Sequence, residues 1–387
     1  MNIILFDGEE RSNLLPLTFT RPVAELRMGI LTFTERWKKI LETDQISFLT
    51  EKYLSEKYPT RKEAENLFIN PAYFPDRDLI LTLKNLQLGE ALFCNDTIVA
   101  ANASFENFQA QKFMHKKEIE LTSFHIQYAW DLFTYNSQAI AYDFKLLTQG
   151  KKSQPLSNTV RVIGDESGIF AEEGVVAECV ILNSTEGEIY LGKNSKILEG
   201  AMIRGSFALC EGAQINMGAK VYGATTIGPY SKIGGEVNNI VVTGYSSKGH
   251  DGFLGNSVLG EWCNLGADTN SSNLKNNYSK VQCWNYAASQ FINTNLQFAG
   301  LIMGDHSKSA INTQFNTGTV VGAFANIFIS GFPPKLIPSF SWGGGKGNPK
   351  FELDKAFEVA EKVMERRHIP FTEKDKRIIE ELYQMAD

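Results

Sequence analysis

The chain has 387 residues, 43% of them hydrophobic and 21% charged, and its formal net charge at pH 7 is −6. This length predicts two or three domains with full hydrophobic cores, and the ordinary composition excludes a disordered or collagen-like chain. No apolar run reaches the ~18–20 residues that span a bilayer, and a mildly acidic surface disfavours nucleic-acid binding. The five cysteines form no C-x-x-C pair, which favours free thiols and a cytoplasmic protein.

The N-terminal part of the chain alternates predicted strands with a predicted helix. Apolar residues recur on one face of Thr32–Leu41, which is typical of an amphipathic helix. This order of strand, helix and strand predicts an open, Rossmann-like α/β domain. Short apolar runs predict its strands at Asn2–Phe6, Ile46–Leu49, Asn66–Ile69 and Ala91–Cys94.

From residue 160 onward, aliphatic side chains recur every six residues. Six is the repeat of a hexapeptide β-helix, in which three short faces close one coil of about eighteen residues. Each coil buries its aliphatic side chains only by stacking on its neighbours, so the repeat predicts an all-β parallel solenoid of several coils. Eight positions keep the period without a miss: Leu191, Ile197, Ile203, Leu209, Ile215, Val221, Ile227 and Ile233. Shorter runs with this period are Ile163, Ile169, Val175 and Ile181; Phe253, Leu259 and Leu265; and Met303, Phe315, Val321 and Ile327, with Ser309 as the polar position.

Two long polar segments interrupt the period, Gly235–Gly252 and Ala267–Gly300. Insertions in a solenoid usually form loops on one face, often the binding face. The solenoid is predicted to end after Phe332-Pro333-Pro334, where the glycine-rich connector Gly343–Gly347 follows.

Two C-terminal helices complete the predicted organisation. Apolar spacing predicts the first over Phe351–Glu365, and Thr372 is placed to cap a second that runs through Tyr383. Four regions are therefore expected: an α/β domain over 1–110, a connecting region over 111–158, the β-helix over 159–335, and the connector with the C-terminal helices over 336–387.

A histidine flanked by glycines, His250, stands at the first interruption. Histidine accepts a proton near neutral pH, so His250 is a candidate to deprotonate an amine that attacks a thioester. The side-chain amide of Asn264 or Asn273 could orient a sugar, and the backbone N–H groups of Gly266 and Ala267 could hold an oxyanion. The alternative is that His250 is an exposed loop histidine with no chemical role.

The β-helix carries the motif His250-x-x-Phe253-Leu254-Gly255, followed by Asn264-Leu265-Gly266-Ala267-x-Thr269. With the preceding α/β domain, this pattern resembles the bifunctional family that joins a glucosamine-1-phosphate N-acetyltransferase to a UDP-N-acetylglucosamine pyrophosphorylase, most closely its divergent bacterial members. The resemblance covers nearly the whole chain and is most specific over residues 250–273. It implies a left-handed β-helix that uses acetyl-CoA and an amino-sugar phosphate, in a homotrimer that binds acyl-CoA between neighbouring subunits.

The resemblance also implies roles for individual residues. His250 matches the family's general base, and Asn273 matches the asparagine that hydrogen-bonds the acceptor sugar. Asn264 matches a second acceptor-site asparagine, and Ala267 matches a position at the acetyl-transfer centre. Phe253 stands where the family has a tyrosine near the acceptor phosphate.

One basic residue of the family pattern is missing, because the sequence before the first interruption is Val237-Asn238-Asn239. Lys248, Lys275 or Lys280 could supply that positive charge to the substrate phosphate. The identity of the acceptor sugar depends on this replacement.

The N-terminal loop resembles, in part, the glycine-rich loop with which sugar nucleotidyltransferases cradle a triphosphate. The resemblance implies that Gly8, Arg11 and Arg21 bind a nucleoside triphosphate, UTP or dTTP, which reacts with a sugar-1-phosphate. Gly8 is the only glycine of this loop, and glutamates stand at positions 9 and 10. Arg27 could add a further positive charge.

The magnesium site of that family is also altered here. Asn70 stands where the magnesium-binding aspartate is expected, and Mg²⁺ prefers carboxylate oxygens. Asp76 or Asp96 could replace it, so the sequence leaves the metal ligands open.

Three functions are therefore compatible with the sequence. The first is a bifunctional enzyme of UDP-N-acetylglucosamine and cell-wall precursor synthesis, with both activities. The second is a monofunctional sugar-1-phosphate nucleotidyltransferase whose β-helix only oligomerises. The third is a non-enzymatic scaffold with a degenerate N-terminal domain.

Overall fold

The computed structural model describes residues 2–120, 122–345, 347 and 349–386. The chain divides into two compact units, the first made of Met1–Leu14, Thr20–Leu26 and Leu31–Tyr128, the second of Leu15–Phe19, Arg27–Ile30 and Ala129–Asp387. The predicted fold class is confirmed, because an α/β domain, a parallel β-helix and C-terminal helices are all present. No helix within the described ranges is long and apolar enough to cross a membrane.

The first unit is built on a mixed six-stranded sheet with the order β2-β1-β3-β5-β4-β6. Strand β1 pairs in parallel with β2 and β3, whereas β5 runs antiparallel to both β3 and β4. Strand β6 lies in the region that the sequence assigned to a connection, and it pairs in parallel with β4. The strands are β1 (Asn2–Phe6), β2 (Ile46–Leu49), β3 (Asn66–Ile69), β4 (Glu90–Cys94), β5 (Thr97–Ala103) and β6 (His115–Glu118).

Both faces of this sheet are covered, which explains why residues 3–6 of its first strand are all apolar. Ile3 and Leu5 pack into one hydrophobic cluster, and Ile4 packs into another on the opposite face. The helix predicted at Thr32–Leu41 is present, and Thr32 and Glu35 close a capping box at its start. The helices of this unit are α1 (Phe33–Ile40), α2 (Arg77–Lys84) and α3 (Phe105–Gln109).

The second unit is a solenoid with three faces. Strands stack in parallel from coil to coil, and two nine-residue strands, β19 and β21, run round a corner and join two of the faces into one sheet. The strands of the first half are β7 (Arg161–Ile163), β8 (Ile169–Ala171), β9 (Val176–Ala177), β10 (Ile181–Asn183), β11 (Ile189–Leu191), β12 (Lys196–Ile197), β13 (Met202–Arg204), β14 (Phe207–Leu209), β15 (Gln214–Ile215), β16 (Lys220–Tyr222), β17 (Thr225–Ile227), β18 (Lys232–Ile233) and β19 (Glu236–Gly244). Those of the second half are β20 (Ser247–Lys248), β21 (Phe253–Glu261), β22 (Asn264–Leu265), β23 (Asn270–Ser271), β24 (Gln282–Asn285), β25 (Gln290–Asn293), β26 (Leu301–Met303), β27 (Lys308–Ser309), β28 (Gln314–Phe315), β29 (Thr319–Val321), β30 (Asn326–Ile327), β31 (Leu336–Ile337) and β32 (Trp342–Gly343).

The period-six positions point into the coil, as predicted, from Leu191 to Ile233, and all eight are buried in one core. The first run is confirmed only in part: Ile169 and Val175 are buried in the same core, but Ile163 is 43% exposed and Ile181 is only half-buried. The inward residue of that coil is Leu182, which pairs with Ile203. The phase was also wrong by one residue at Phe253, since the buried core residue there is Leu254.

The first predicted interruption, Gly235–Gly252, is not a loop. Its first part is the long strand β19, and Val237 and Val242 point into the core. The coil is merely shorter: eighteen residues separate Ile215 from Ile233 in the stack, but fifteen separate Ile233 from Lys248. The corners of this coil have three residues fewer in total. The strands therefore still stack, but the inward residues no longer recur every six positions.

The second predicted interruption is shorter than the sequence suggested. Residues 267–271 remain in the stack, where Ser271 pairs with Leu254 below and Phe315 above. The chain leaves the stack after Asn273, and β24 and β25 form an antiparallel hairpin there.

The solenoid continues beyond the predicted end at residue 335, because β31 pairs with β29 and β32 pairs with β30. Lys346 of the predicted connector lies outside the described residues. Thr372 caps the last helix in a capping box, as predicted. The helices of this unit are α4 (Asp131–Thr134), α5 (Asn136–Thr148), α6 (Leu353–Glu365) and α7 (Glu373–Met385).

Candidate functional site

One corner of the solenoid changes size at His250. Six residues separate Lys248 from Leu254 across this corner, whereas only four separate Ile233 from Val237 in the coil below. The tight lower corner is made by two consecutive glycines. A Cβ on Gly235 would lie 2.9 Å from the carbonyl oxygen of His250, so the corner that carries His250 rests directly on the glycine below.

His250 is exposed, but the peptide groups on both sides of its Cα are fixed. Asn216 Nδ2 donates to the carbonyl oxygen of Gly249 at 2.7 Å. Lys248 Nζ donates to the carbonyl oxygen of His250 at 2.9 Å and to that of Gly234 at 2.9 Å. The backbone that presents the imidazole is therefore held by two side chains from two different coils.

Ala267 lies one coil above His250, because the same offset of seventeen residues pairs Ser247 with Asn264 and Leu254 with Ser271. Neighbouring rungs of a parallel sheet are about 4.8 Å apart. The backbone N–H of Gly266 donates to the carbonyl oxygen of Ser309, so the predicted oxyanion role does not suit this group. For the N–H of Ala267 we find no acceptor among the described residues.

Two aspartates follow the same corner. Asp251 comes directly after His250, and the backbone N–H of Asp268 donates to the carbonyl oxygen of Asp251 at 3.1 Å in the next coil. Both side chains are exposed. This corner therefore combines a proton acceptor, a backbone N–H donor and two carboxylates that attract a cation, a set that suits the acylation of an amine.

The structure brings some predicted residues to this corner. Asn264 is exposed and lies three residues before Ala267 in the same coil. It pairs with Ser247 of the coil below. Phe253 begins the strand that leaves the corner, and its backbone N–H donates to Asn270 Oδ1 at 2.8 Å. Asn264, Phe253 and Ala267 thus surround His250.

Asn273 and Lys280 lie farther along the chain, but Asn273 Nδ2 and Phe253 Cζ both lie 2.6 Å from where a Cβ on Gly255 would be, so the Asn273 side chain is close to the Phe253 ring. Asn273 Nδ2 donates to Asn256 Oδ1 at 2.8 Å, and Asn256 Nδ2 donates to the amide oxygen of Asn239 at 2.9 Å in the orientation that satisfies this network. These asparagines form a ladder at the far end of the strand segment that begins at Phe253. Lys280 lies in the excursion after Asn273, where its carbonyl oxygen accepts a hydrogen bond from Lys275 Nζ.

Lys248 occupies an inward position of the solenoid, in the column between Ile233 and Leu265. It is 1% exposed, and burial lowers the pKa of its ammonium group to about 8. Its Nζ binds two backbone carbonyls, so Lys248 does not offer its charge to a substrate phosphate as the sequence had predicted.

The nucleotide-binding loop predicted in the first unit is filled by its own side chains. Both carboxylate oxygens of Glu10 lie 2.6 Å from where a Cβ on Gly8 would be. Glu10 is 4% exposed, and its Oε1 accepts no hydrogen bond from the described residues. Burial raises the pKa of Glu10 to about 7, and His125 Nε2 lies 4.0 Å from its Oε2.

The arginines predicted to bind the triphosphate are buried. Arg11 Nε lies 3.1 Å from Asp7 Oδ2, and Arg11 Nη2 donates to the Tyr53 hydroxyl at 2.9 Å. Arg21 is also buried. The charge of Arg11 is therefore already compensated within the unit.

Two of the three residues considered for the magnesium site, Asn70 and Asp76, have hydrogen-bond partners within the first unit. Asn70 Oδ1 accepts the backbone N–H of Ala72 at 3.0 Å. Asp76 caps helix α2 through Leu79, and its other oxygen accepts the Thr122 hydroxyl. The described residues contain no group of three His, Cys, Asp or Glu side chains that could hold a metal ion.

Two contributors to the His250 corner carry no strong signal in the sequence. Asn216 lies 34 residues before His250, and only the stacking of coils brings it under Gly249. Gly234-Gly235 could have been found from the repeat, since a pair of glycines after an inward aliphatic marks an unusually tight corner.

Comparisons with known proteins find one family model and several acyltransferases that are similar to parts of the chain. Residues 3–152 match the family model described as "Sugar nucleotidyl transferase". The chain is also similar to two proteins described as uncharacterized acetyltransferases, both YaiX of Escherichia coli. The identity is 29% over 123 residues for strain K12 and 28% over 123 residues for O6:K15:H31 (strain 536 / UPEC), in each case 31% of this chain. The chain spans about half the length of these curated relatives (51%).

Two solved acyltransferase structures are also similar to part of the fold. The polySia-specific acetyltransferase NeuO has a TM-score of 0.27 and 13% identity, over 48% of this chain and 82% of that chain. The UDP-N-acetylglucosamine acyltransferase of Arabidopsis has a TM-score of 0.20 and 10% identity, over 58% of this chain and 95% of that chain.

Proposed function

We propose that the solenoid transfers an acetyl group from acetyl-CoA to the amino group of an amino-sugar phosphate, with His250 as the general base. The observation that carries this proposal is the corner itself, where an exposed histidine on a fixed backbone lies one coil below the N–H of Ala267, which has no acceptor within the described ranges. The similarity to curated acetyltransferases supports the same class of reaction.

The reaction would proceed by nucleophilic attack. The sugar nitrogen attacks the thioester carbonyl carbon while His250 accepts a proton from that nitrogen. The Ala267 N–H would stabilise the oxyanion of the tetrahedral intermediate. The intermediate collapses as the C–S bond breaks, and the CoA sulfur receives the proton from the imidazolium.

Charge favours an amine over an alcohol as the acceptor. Asp251 and Asp268 place two carboxylates beside His250, and carboxylates attract the ammonium form of an amino sugar. Asn264, exposed on the same side, is the residue we assign to hydrogen-bonding the sugar, and Phe253 would pack against it.

The test measures thiol release from acetyl-CoA with glucosamine-1-phosphate, and identifies the N-acetylated product by mass spectrometry. We expect His250→Ala to lower kcat at least about 100-fold, the range usual for a lost general base. His115→Ala, at an exposed histidine of the first unit, is the matched control and should keep full activity. Equal thiol release by wild type and His250→Ala would show that His250 is not the base.

A second activity is favoured by the match of residues 3–152 to a sugar nucleotidyl transferase model. It is the transfer of a nucleotidyl group from UTP or dTTP to a sugar-1-phosphate, with release of pyrophosphate. The measurement is pyrophosphate release with and without Mg²⁺. No release with either nucleotide would leave this domain without the activity, and release without thiol formation would favour the monofunctional alternative.

We also propose that the active solenoid is a homotrimer, because the family resemblance places acyl-CoA between neighbouring subunits. Light scattering should then give about three times the chain mass of 43.2 kDa. A monomer that retains full thiol release would contradict this assembly.

A further inference from the structure

We propose that Lys248 is a positioning residue that holds the backbone of His250 for acetyl transfer, at an inward position where the neighbouring coils have aliphatic residues. This inference rests on the proposed function. It concerns a residue that touches neither substrate in the proposed reaction and acts through the loop it anchors.

The position of Lys248 in the fold is that of a core side chain. Its neighbours in the inward column are Ile233 in the coil below and Leu265 in the coil above, and both are buried. Burying an ammonium group is unfavourable unless hydrogen bonds compensate for lost water. An aliphatic residue would therefore stabilise this column better than lysine does.

The hydrogen bonds of Lys248 explain what the lysine adds. Its Nζ connects the carbonyl oxygens of Gly234 and His250, and so joins the short lower corner to the longer corner above it. The upper corner has two residues with no counterpart below, and at this point the carbonyls of Gly249 and His250 accept hydrogen bonds from side chains instead of from the ladder. Asn216 binds the preceding carbonyl, that of Gly249, at 2.7 Å.

These two contacts fix the peptide groups that flank the His250 Cα. Together they define the direction in which the Cα–Cβ bond leaves the backbone. Misplacing a reacting group by about 1 Å is enough to lower catalysis about 100-fold. Lys248 would therefore affect catalysis without contacting substrate.

The test replaces Lys248 by methionine, which has similar length and fits an aliphatic column, as Met303 already does in the same solenoid. The matched control is Lys308→Met. Lys308 Nζ also donates to a backbone carbonyl, that of His306, at 2.7 Å, and burial lowers its pKa to about 8 as well. Lys308 pairs with Asn264 in the ladder, but it differs in making no described hydrogen bond to His250 or Gly234.

For Lys248→Met we expect kcat for acetyl transfer to fall at least about tenfold, KM for acetyl-CoA to change less than about twofold, and the melting temperature to stay or rise. Lys308→Met should keep kcat within about twofold of wild type. Unchanged kcat in Lys248→Met would overturn the proposal, and so would a fall in kcat that Lys308→Met matches.

A second readout does not depend on activity. Histidine-selective NMR, with the His250 signal assigned from His250→Gln, should show that Lys248→Met shifts or broadens this signal and that Lys308→Met does not. If wild type transfers no acetyl group but the signal responds in this way, the proposed function fails and the positioning of His250 by Lys248 stands. An unaltered signal in Lys248→Met would overturn the positioning role itself.

Discussion

Both units of the molecule bury a charged side chain next to a glycine, Lys248 in the solenoid and Glu10 in the first unit, and the two differ in how the charge is satisfied. In the solenoid, Lys248 Nζ donates to two carbonyl oxygens. In the first unit, Glu10 lies against Gly8, and its Oε1 accepts no hydrogen bond within the described residues. A buried charge whose hydrogen bonds reach a neighbouring segment can fix a loop, whereas a buried carboxylate with fewer such bonds mainly fills the space around its glycine.

The comparison predicts that the solenoid corner is sensitive to the glycine beneath it. Gly235 has φ +70°, and a Cβ there would lie 2.8 Å from Asp251 Cα and 2.9 Å from the carbonyl oxygen of His250. Gly235→Ala should therefore displace the corner, lower kcat for acetyl transfer more than about tenfold, and destabilise the fold by about 2–4 kcal/mol.

Gly218→Ala is the control for that prediction. Gly218 has nearly the same backbone, φ +67°, but a Cβ there would have no neighbour within 4 Å. Gly218→Ala should lower the free energy of unfolding by only about 1–2 kcal/mol, the cost of the left-handed backbone conformation, and should leave kcat unchanged. Equal kcat values in the two variants would show that the corner does not depend on Gly235.

The sequence predicted this corner only in part, because the period of six is a property of inward positions and not of coil length. The eight aliphatics from Leu191 to Ile233 were read correctly since each corner between them has the same number of residues. The next coil has shorter corners, so Val242 no longer follows the six-residue period. Lys248 occupies an inward position where the period predicts an aliphatic residue, which made the repeat harder to recognise. A strand segment thus resembled a polar loop.

His250 itself could be found from the sequence because a histidine between glycines in a familiar motif is a local signal. The residues that hold it could not, since Asn216 and Lys248 act through stacking that depends on the exact length of each coil. In the first unit, the lost glycines were visible in the sequence. That the carboxylate of Glu10 fills the space over Gly8 became apparent only from the structure.

Glu10 should make the stability of the first unit depend on pH. Its pKa is about 7 in the fold, against 4.5 as the ordinary value, because burial penalises the carboxylate. Stability is therefore fully present below pH 4.5 and is lost as the pH rises through 7. Between pH 5 and pH 8 we expect the wild type to lose about 2 kcal/mol relative to Glu10→Gln, measured by urea denaturation.

The control for this measurement is Glu9→Gln, at the exposed neighbouring glutamate, which should follow the wild type at every pH. Burial lowers the pKa of His125 to about 4, so this histidine adds its own dependence below pH 6.5 in all variants. A constant difference between wild type and Glu10→Gln would mean that Glu10 is ionised throughout or solvated.

Lys248 should produce the opposite pH dependence in the alkaline range. Burial lowers its pKa from 10.5 to about 8, although the carboxylates of Asp251, Asp268 and Glu236 partly oppose this shift. The unfolded chain binds more protons between these values, so wild-type stability rises with pH there. Relative to Lys248→Met, the wild type should gain about 2 kcal/mol between pH 7 and pH 9.5.

The measurement is again urea denaturation, with Lys248→Met and the wild type compared at each pH. At pH 7 the variant should be the more stable protein, and the two should converge at alkaline pH. A variant less stable than wild type at pH 7 would show that the hydrogen bonds to Gly234 and His250 outweigh the burial of the charge. Lys248 would then be a buried charge that stabilises the fold, whereas Glu10 would be one that destabilises it above pH 7.

The smallest effect is expected at Asn273, which family resemblance assigns to the acceptor sugar and which the structure places in the asparagine ladder with Asn256 and Asn239. Asn273→Ala removes one side-chain hydrogen bond, so unfolding should become easier by about 1 kcal/mol. Because Asn273 Nδ2 already donates to Asn256 Oδ1, kcat and KM for the amino sugar should stay within about threefold of wild type. Steady-state kinetics alongside urea denaturation separates the two roles: a KM for the sugar that rises tenfold or more would return Asn273 to the acceptor site and extend that site along the strand.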